Sequence, residues 1–487
     1  MKKTIIEPIT RLEGHGKITV FLDDNGKVDE VFFQVVEFMG YEKMVEGAPI
    51  EEVPRIASTI CGVCRAVHFM ASLKAGDGVF GVEPPSVAKK LRKLLLSAHH
   101  IEDHTEILYA MGLPDFIVGP TAPPQKRNLL GVAEKLGNDV VKDILNKRFA
   151  AARIVEILGG KTAHPVPAIP GGWAKSLKPE EVEEIKKLSD ECLELGKRSV
   201  ELFKEVVVNN PEYSKLLREE KFNVRTNYMG TVDENGKVAY YEGVQRIISP
   251  SGEEVGKFTG KEYLKFFSEK TLPWSYAKFP YLKKVGWKGF VDGEGTSFCS
   301  VGPLARVNVS NGFSTPLAQA AYEEMVDFFG GKPIYNIFAY HWARAIEILN
   351  HAEEIKRLIE DPEITNSDTC TELKEVVGEG VGIIEAPRGT LIHHYRTDEN
   401  AMTTDANMVV PTTFNNGSIQ MAVKRAAEYY LNDGKYEPEK LNLIEMAHRP
   451  YDLCLACATH AYPSQYGTEL LIYSKDGKLI KKIRNTQ

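Results

Sequence analysis

ICGVCRAVH at residues 60–68 and DLCLACATH at residues 452–460 decide how this chain is read. Each is a CxxC unit followed three or four residues later by a histidine. Two residues between cysteines let both thiolates face one ion, so four such sulfurs make a soft site suited to zinc, an iron-sulfur cluster or nickel. A structural zinc site and a disulfide-exchange pair are the plain alternatives. Nearly the whole chain separates the two units, which tells against a zinc ribbon closing a short loop but leaves a long-range clip open. The other three of the seven cysteines, Cys192, Cys299 and Cys370, are scattered singly. An odd cysteine count in a chain of 487 residues is no disulfide framework and points to a reducing compartment.

Outward from the motifs, the composition is that of a folded, water-soluble chain, 43% apolar and 26% charged. The length allows one large or two intermediate domains. No apolar run approaches the roughly 20 residues needed to span a bilayer. In MKKTIIEPITRLEGHG the apolar stretch ends at Glu7 and Pro8, too short for a signal-peptide core, so no export address is expected and the location is read as cytoplasmic. With 60 basic and 67 acidic residues the net charge is −7, which disfavours nonspecific binding to nucleic acid or anionic membrane.

Two alternating apolar runs, KITVFLDD and VDEVFFQVV, flank NGK and predict a hairpin over about 17–37. Helical spacing covers 86–113, 128–158, 179–208, 315–330 and 338–360. Residues 222–300, with DENGK, SPSGEE and short aromatic runs, predict a β-rich insertion between helical halves. The final TELLIYSKDGKLIKKIRNTQ predicts another hairpin around SKDGK. The fold expected is α+β and mainly helical, a large helical core with small peripheral sheets.

ICGVCRAVH resembles the CGxCxxxH motif near the N-terminus of [NiFe]-hydrogenase large subunits, and DLCLACATH their C-terminal DPCxxCxxH. RLEGHG at 11–16, GGKTAHPVPAIPGG at 159–172, VGPLARVN at 301–308 and EAPRGTLIHH at 385–394 are similar to further signatures of that family, in the same order. Residues 209–290 carry no motif that matches. Leu453 stands where the family has proline, a departure expected to loosen the backbone leading into Cys454. The resemblance implies that residues 1–460 form the hydrogenase domain. It further implies a nickel ion bound by Cys61, Cys64, Cys454 and Cys457, the first of each pair terminal, Cys64 and Cys457 bridging to an iron that carries CO and two cyanides. Thiolates donate strongly to nickel, and H2 can be cleaved heterolytically there.

The same resemblance assigns roles around the metal. Glu13 is expected to take the proton from Cys454, as a partly buried carboxylate whose pKa has risen towards that of a metal-bound thiol. Arg388 would hang its permanently charged fork over the open metal position, held by Asp103 and Asp452, because a buried arginine needs carboxylate partners. Leu391 would line the dry pocket of the diatomic ligands, Thr412 would donate to the second cyanide, and His68 would donate to a bridging sulfur. Glu42, His460 and the Met408 carbonyl match a Mg2+ site, which needs few protein ligands because magnesium keeps water. His164 lies where the family has a histidine close to the partner's nearest cluster. Taken singly, these residues have blander readings: a capping glutamate, a loop arginine, a turn hydroxyl, a satisfied core histidine.

Two rivals stand against this reading. One is a non-catalytic relative such as the quinone-site subunit of complex I, which lacks the nickel cysteines; the other is a structural four-cysteine zinc protein. The chain shows no phosphate-cradling glycine loop and no further cysteine cluster, so electrons must pass to a different polypeptide. The resemblance implies a small iron-sulfur subunit, which would carry the iron-sulfur clusters, and further flavin or iron-sulfur subunits linked to NAD(P), ferredoxin, F420 or heterodisulfide reduction. Nickel-insertion proteins and a maturation protease are implied too, the protease cutting after His460 and removing residues 461–487. With the tail attached, two arrangements are expected: cysteine pairs held apart in an unprocessed precursor, the favoured one, or a tail paired as a hairpin beside an assembled site.

Overall fold

The computed structural model describes residues 2–431, 438–461, 468–473 and 479–485. A long helix, Ala339–Ile359, runs through the centre and is packed against helices Ser86–Glu106 and Pro179–Phe203, with Asn138–Gly159 lying across those two. Their sequence patterns are amphipathic, and capping is local. Pro179 starts its helix and the Glu181 carboxylate accepts the Lys178 N–H at 2.9 Å, filling one of the donors a helix start leaves open. The helix expected over 128–158 is broken at Gly137 into Leu129–Leu136 and Asn138–Gly159. Those expected over 86–113 and 179–208 finish in π-helical turns at Ile107–Gly112 and Lys204–Val208.

Two long helices have no counterpart in the sequence reading. In Arg65–Val79 every residue except Lys74 and Gly78 is buried, and Pro411–Leu431 is buried continuously from Pro411 to Val423. A helix covered on all sides has no polar face, so its period of 3.6 never shows as alternation.

The N-terminal hairpin gains a third strand: Lys2–Ile6, Gly16–Leu22 and Val28–Val35 form an antiparallel sheet, and helix Pro411–Leu431 packs on Val28–Val35. Within 222–300, strands Asn227–Val232, Val244–Ile248 and Glu254–Phe258 run antiparallel, Cys299–Ser300 joins Asn227–Val232 in parallel, and Phe267–Lys270 pairs with Phe279–Leu282. The sheet that positions the chemistry lies inside the helices. It is Glu379–Ala386, Gly389–Thr397 and Thr403–Val409, antiparallel, with Gly389 to Tyr395 buried throughout. Helix Arg65–Val79 lies directly on its first strand. A Cβ at Gly382 would fall 2.0 Å from the Ala71 carbonyl oxygen, and one at Gly380 1.9 Å from that of Ala75, so only glycine permits this approach. The helix that follows the first cysteine pair is thereby set against the strand that leads to Arg388.

The C-terminal strands Thr468–Tyr473 and Leu479–Asn485 pair antiparallel as the hairpin reading has it; the turn, residues 474–478, lies outside the described residues. Among the described residues no helix is long and apolar enough to cross a membrane.

Candidate metal centre

Cys61 sits in extended backbone after the short turn Ser58–Ile60, and Cys64 stands at the N-terminus of helix Arg65–Val79. The second pair flanks the start of the one-turn helix Leu455–Ala458. A single bridge of parallel backbone brings in the N-terminal motif: Glu13 N–H donates to the Leu453 carbonyl at 3.1 Å and Leu455 N–H to the Glu13 carbonyl at 3.0 Å. The Cys454 N–H donates to Thr412 Oγ1 at 3.1 Å. Leu453 itself is buried in the core, so the loosening expected from the missing proline does not occur; these bonds and its packing hold the segment.

The four sulfurs lie within 4.8 Å of one another, all buried. Cys64 Sγ is 3.2 Å from Cys61 Sγ and 3.4 Å from those of Cys454 and Cys457, and Cys454 and Cys457 stand 2.7 Å apart. Burial drives the thiols of Cys454 and Cys457 well above the usual range, while hydrogen bonds from Cys454, Cys457 and Cys64 hold Cys61 down. Four thiolates cannot coexist this closely in a dry interior without a cation between them, so the donor set fits a thiophilic metal. The pairs meet with strands Thr468–Tyr473 and Leu479–Asn485 attached and paired, so the favoured precursor arrangement, with the pairs apart, is not that of this chain.

Three of the four sulfurs are each met by a polar side chain, Glu13, Arg388 or His68. Glu13 Oε2 accepts from Cys454 Sγ at 2.9 Å and from Ala456 N–H at 3.2 Å, and burial, then the Cys61 charge, raises its pKa. Arg388 Nη1 is 3.4 Å from Cys64 Sγ and donates to Asp103 Oδ2 at 3.0 Å, while Nη2 pairs with Asp452 Oδ1 at 3.0 Å. The two carboxylates outweigh the desolvation and keep the guanidinium charged. Burial lifts Asp452 to about 6 even beside Arg388, and its φ of 57° is unusual for a residue with a side chain. His68 Nε2 lies 3.2 Å from Cys457 Sγ; burial lowers its pKa to about 4, so the ring is neutral at pH 7. Leu391 is fully buried on the strand after Arg388. Thr412 Oγ1 accepts from Cys454, which leaves its own proton free to donate elsewhere.

A second cluster forms beside the first. His460 Nδ1 and Met408 N–H each lie 2.9 Å from Glu42 Oε1, and His460 Nε2 is buried without a partner. Burial would raise Glu42, yet the His460 charge and hydrogen bond bring it below its ordinary value. His164 lies apart from both clusters, half-buried, with Nδ1 2.9 Å from the Ser58 carbonyl just before Cys61.

Several buried polar residues next to these groups went unassigned in the sequence. His68 Nδ1 meets His393 Nε2 at 3.1 Å, and His393 Nδ1 meets the Tyr395 hydroxyl at 2.6 Å. Arg344 lies 3.9 Å from Asp452, and Arg306, Glu347 and Glu385 form a fully buried ion cluster behind Arg388. His393 and Arg306 sit inside quoted motifs, so a signal existed; Arg344, Glu347 and Tyr395 lie outside them.

Comparison with known proteins settles the kinship. The family described as nickel-dependent hydrogenase matches residues 39–121 and 196–460, and a HoxL-like family matches residues 3–38. The chain belongs to the nickel-dependent hydrogenase family. An iron-sulfur subunit of the F420-non-reducing hydrogenase of Archaeoglobus profundus is 56% identical over 486 residues, covering 100% of both chains. The NAD-reducing hydrogenase HoxS subunit beta of Cupriavidus necator is 36% identical, over 98% of this chain and 99% of that one. Among solved structures, an NAD+-reducing [NiFe]-hydrogenase in the H2-reduced state superposes with a TM-score of 0.89 at 33% identity, covering 94% of this chain and 100% of that chain. As a nickel-dependent hydrogenase, the chain is an oxidoreductase acting on H2 and the catalytic large subunit of its enzyme, and its four cysteines fit a nickel-iron centre. The complex I-like and zinc alternatives are not favoured. The hydrogenase match includes 209–290, where no motif was recognised, and omits 122–195, which holds GGKTAHPVPAIPGG.

Proposed function

We propose that this chain cleaves and forms H2 heterolytically at a nickel-iron centre whose iron carries CO and two cyanides. The carrying observation is the meeting of four buried sulfurs with Glu13 on one and Arg388 on another. Cys61 and Cys454 would be terminal ligands, Cys64 and Cys457 bridges to iron. When bound, the metals supply the two-electron chemistry of H2.

The side chains divide the remaining work. Glu13 takes a proton from Cys454 Sγ at Oε2, a transfer its raised pKa favours. Arg388 places fixed positive charge above the sulfurs, and Asp103 and Asp452 hold its plane. His68 donates to Cys457 Sγ, the free proton of Thr412 would serve a cyanide, and Leu391 would keep water from the diatomic ligands. Glu42, His460 and the Met408 carbonyl would hold Mg2+; the orphaned His460 Nε2 and the acidic Glu42 are suited to a hard cation and its waters.

The reaction releases two protons and two electrons per H2, and the electrons must leave through another chain. Among the described residues the four cysteines are the only group of three or more metal-binding His, Cys, Asp or Glu side chains, and no further cysteine cluster is there to hold an iron-sulfur centre, so a small iron-sulfur subunit is the partner proposed, with His164 near its first cluster. Further flavin or iron-sulfur subunits would choose the acceptor, a reading supported by relatives whose names differ in acceptor, one NAD-reducing and one F420-non-reducing. A cytoplasmic location, nickel-insertion proteins and cleavage after His460 complete the reading. The chain itself, matured with its nickel-insertion proteins and separated from the iron-sulfur subunits, should contain nickel and iron in equal amounts and show infrared bands of bound CO and cyanide. Zinc on the four sulfurs with no such bands would overturn it.

A further inference from the structure

Arg388 belongs to a two-residue turn. Strands Glu379–Ala386 and Gly389–Thr397 pair up to Ala386 opposite Gly389, leaving Pro387 and Arg388 as the loop. A hairpin tip normally turns its carbonyls to water, but this one is buried, so its backbone acceptors need partners within the protein. Arg306, from helix Pro303–Val309, supplies them: Nη1 donates to the Ala386 carbonyl and Nη2 to the Pro387 carbonyl, each at 3.0 Å. Its other donors go to carboxylates, Nε and Nη2 to Glu347 at 2.6 and 2.7 Å and Nη1 to Glu385 at 2.7 Å. All five N–H groups of the guanidinium are therefore used, in a residue with no exposed surface.

The cluster is anchored on every side. His104 Nε2 lies 2.9 Å from Glu347 Oε2, next in sequence to the Asp103 that pairs with Arg388. Glu385 Oε1 accepts from Thr231 N–H, the Thr231 hydroxyl and the Thr390 hydroxyl, which ties it across to a second sheet. At the start of the Arg306 helix, a Cβ on Gly302 would lie 2.7 Å from the Arg388 carbonyl oxygen, so the turn rests directly on this helix end. None of these groups touches the sulfurs, yet together they determine where the Arg388 backbone stands.

We propose that Arg306 is a positioning residue for H2 activation: by binding both carbonyls that precede Arg388 it holds the turn at the height from which the Arg388 guanidinium reaches Cys64 and its two carboxylates. The inference rests on the hydrogenase reading above. Lysine would retain the charge but offers three donors around one nitrogen, and cannot hold two carbonyls while also bridging Glu347 and Glu385. Removing the fork therefore leaves the turn free to shift, and Arg388 with it.

The test uses the purified enzyme with its partner subunits in four forms, the parent, Arg306→Lys, Arg388→Lys and the double variant. Arg306→Lys should retain nickel, lose H2/D2O exchange activity by about tenfold or more, as misplacement of a catalytic group does, and move the cyanide infrared bands in the direction that Arg388→Lys moves them. The double variant should be no worse than Arg388→Lys, because both act through one group. Parental bands and activity in Arg306→Lys, or losses that multiply in the double variant, would overturn the proposal. Glu347→Gln, which keeps Arg306 but weakens its grip, should give a smaller shift of the same sign. If both Arg306→Lys and Glu347→Gln abolish nickel binding, Arg306 is structural and the proposal fails. A parent chain without CO and cyanide bands would instead sink the hydrogenase centre itself, which keeps the two failures apart.

Discussion

Glu13→Gln is the sharpest test of the proton route. The carboxylate has two bonds to lose, with Cys454 Sγ at 2.9 Å and with Ala456 N–H at 3.2 Å. Glutamine has the same shape and one oxygen that can still accept from Ala456, so the backbone bridge between residues 13 and 454 should survive. Its amide cannot take up a proton. A positioned general acid or base contributes about 10²–10⁴ in rate, which at 1.36 kcal/mol per decade is a barrier increase of about 3–5 kcal/mol. Stability should change far less, because burial already raises the Glu13 pKa and the neutral amide avoids that desolvation. The assay is H2/D2O exchange on enzyme whose nickel content has been measured in the same preparation, with thermal unfolding alongside. The expected outcome is full nickel, near-parental unfolding and exchange lower by two to four decades. Exchange at the parental rate would remove Glu13 from the route, and loss of nickel would show that its main task is to hold the Cys454 segment.

Three further outcomes follow from the packing. Thr412→Val leaves the buried Cys454 N–H without an acceptor and should cost about 1–3 kcal/mol in denaturant unfolding; an unchanged midpoint would mean that water or a relaxed backbone replaces the hydroxyl. Gly382→Ala places a methyl 2.0 Å from the Ala71 carbonyl oxygen, which should destabilise the protein by about 1–3 kcal/mol or more and lower nickel occupancy, measured together by unfolding and metal analysis. For Glu347, burial would raise the pKa but the charge and hydrogen bonds of Arg306, with His104, hold it at about 2 against an ordinary 4.5. A depressed folded pKa gives stability that is complete above about pH 4.5 and lost as pH falls through about 2. The shift is worth at most about 3 kcal/mol, and Glu347→Gln should flatten unfolding free energy against pH within that window.

Much of the site could be read from the linear chain because its ligands are short motifs. CxxC constrains two sulfurs locally, and an arginine between proline and glycine in EAPRG marks a tight turn. The amphipathic helices Ser86–Glu106 and Pro179–Phe203 showed their period because each keeps some contrast between faces, and Ala339–Ile359 showed it in its last two turns, where Glu353, Glu354, Lys356 and Arg357 are not buried. Helices Arg65–Val79 and Pro411–Leu431, buried nearly all round, did not, and neither did the inner sheet 379–409, whose middle strand has no solvent face to alternate with.

Residue types and their local spacing thus determined by themselves that two CxxC units could offer four thiolates to one soft metal, since that is a property of side chains a few bonds apart, while the carboxylate Glu13 and the arginine Arg388 were implied by the resemblance of their motifs to the hydrogenase family. Only the tertiary structure decided which group meets which sulfur: Glu13 on Cys454, Arg388 on Cys64, His68 on Cys457. It alone also decided that Arg306 lies behind Arg388 and that the cysteine pairs close with the C-terminal strands attached. These contacts join residues tens to hundreds of positions apart, and their geometry is set by close packing of helix on strand at Gly380 and Gly382 and by buried ion pairs, neither of which leaves a periodic trace along the chain.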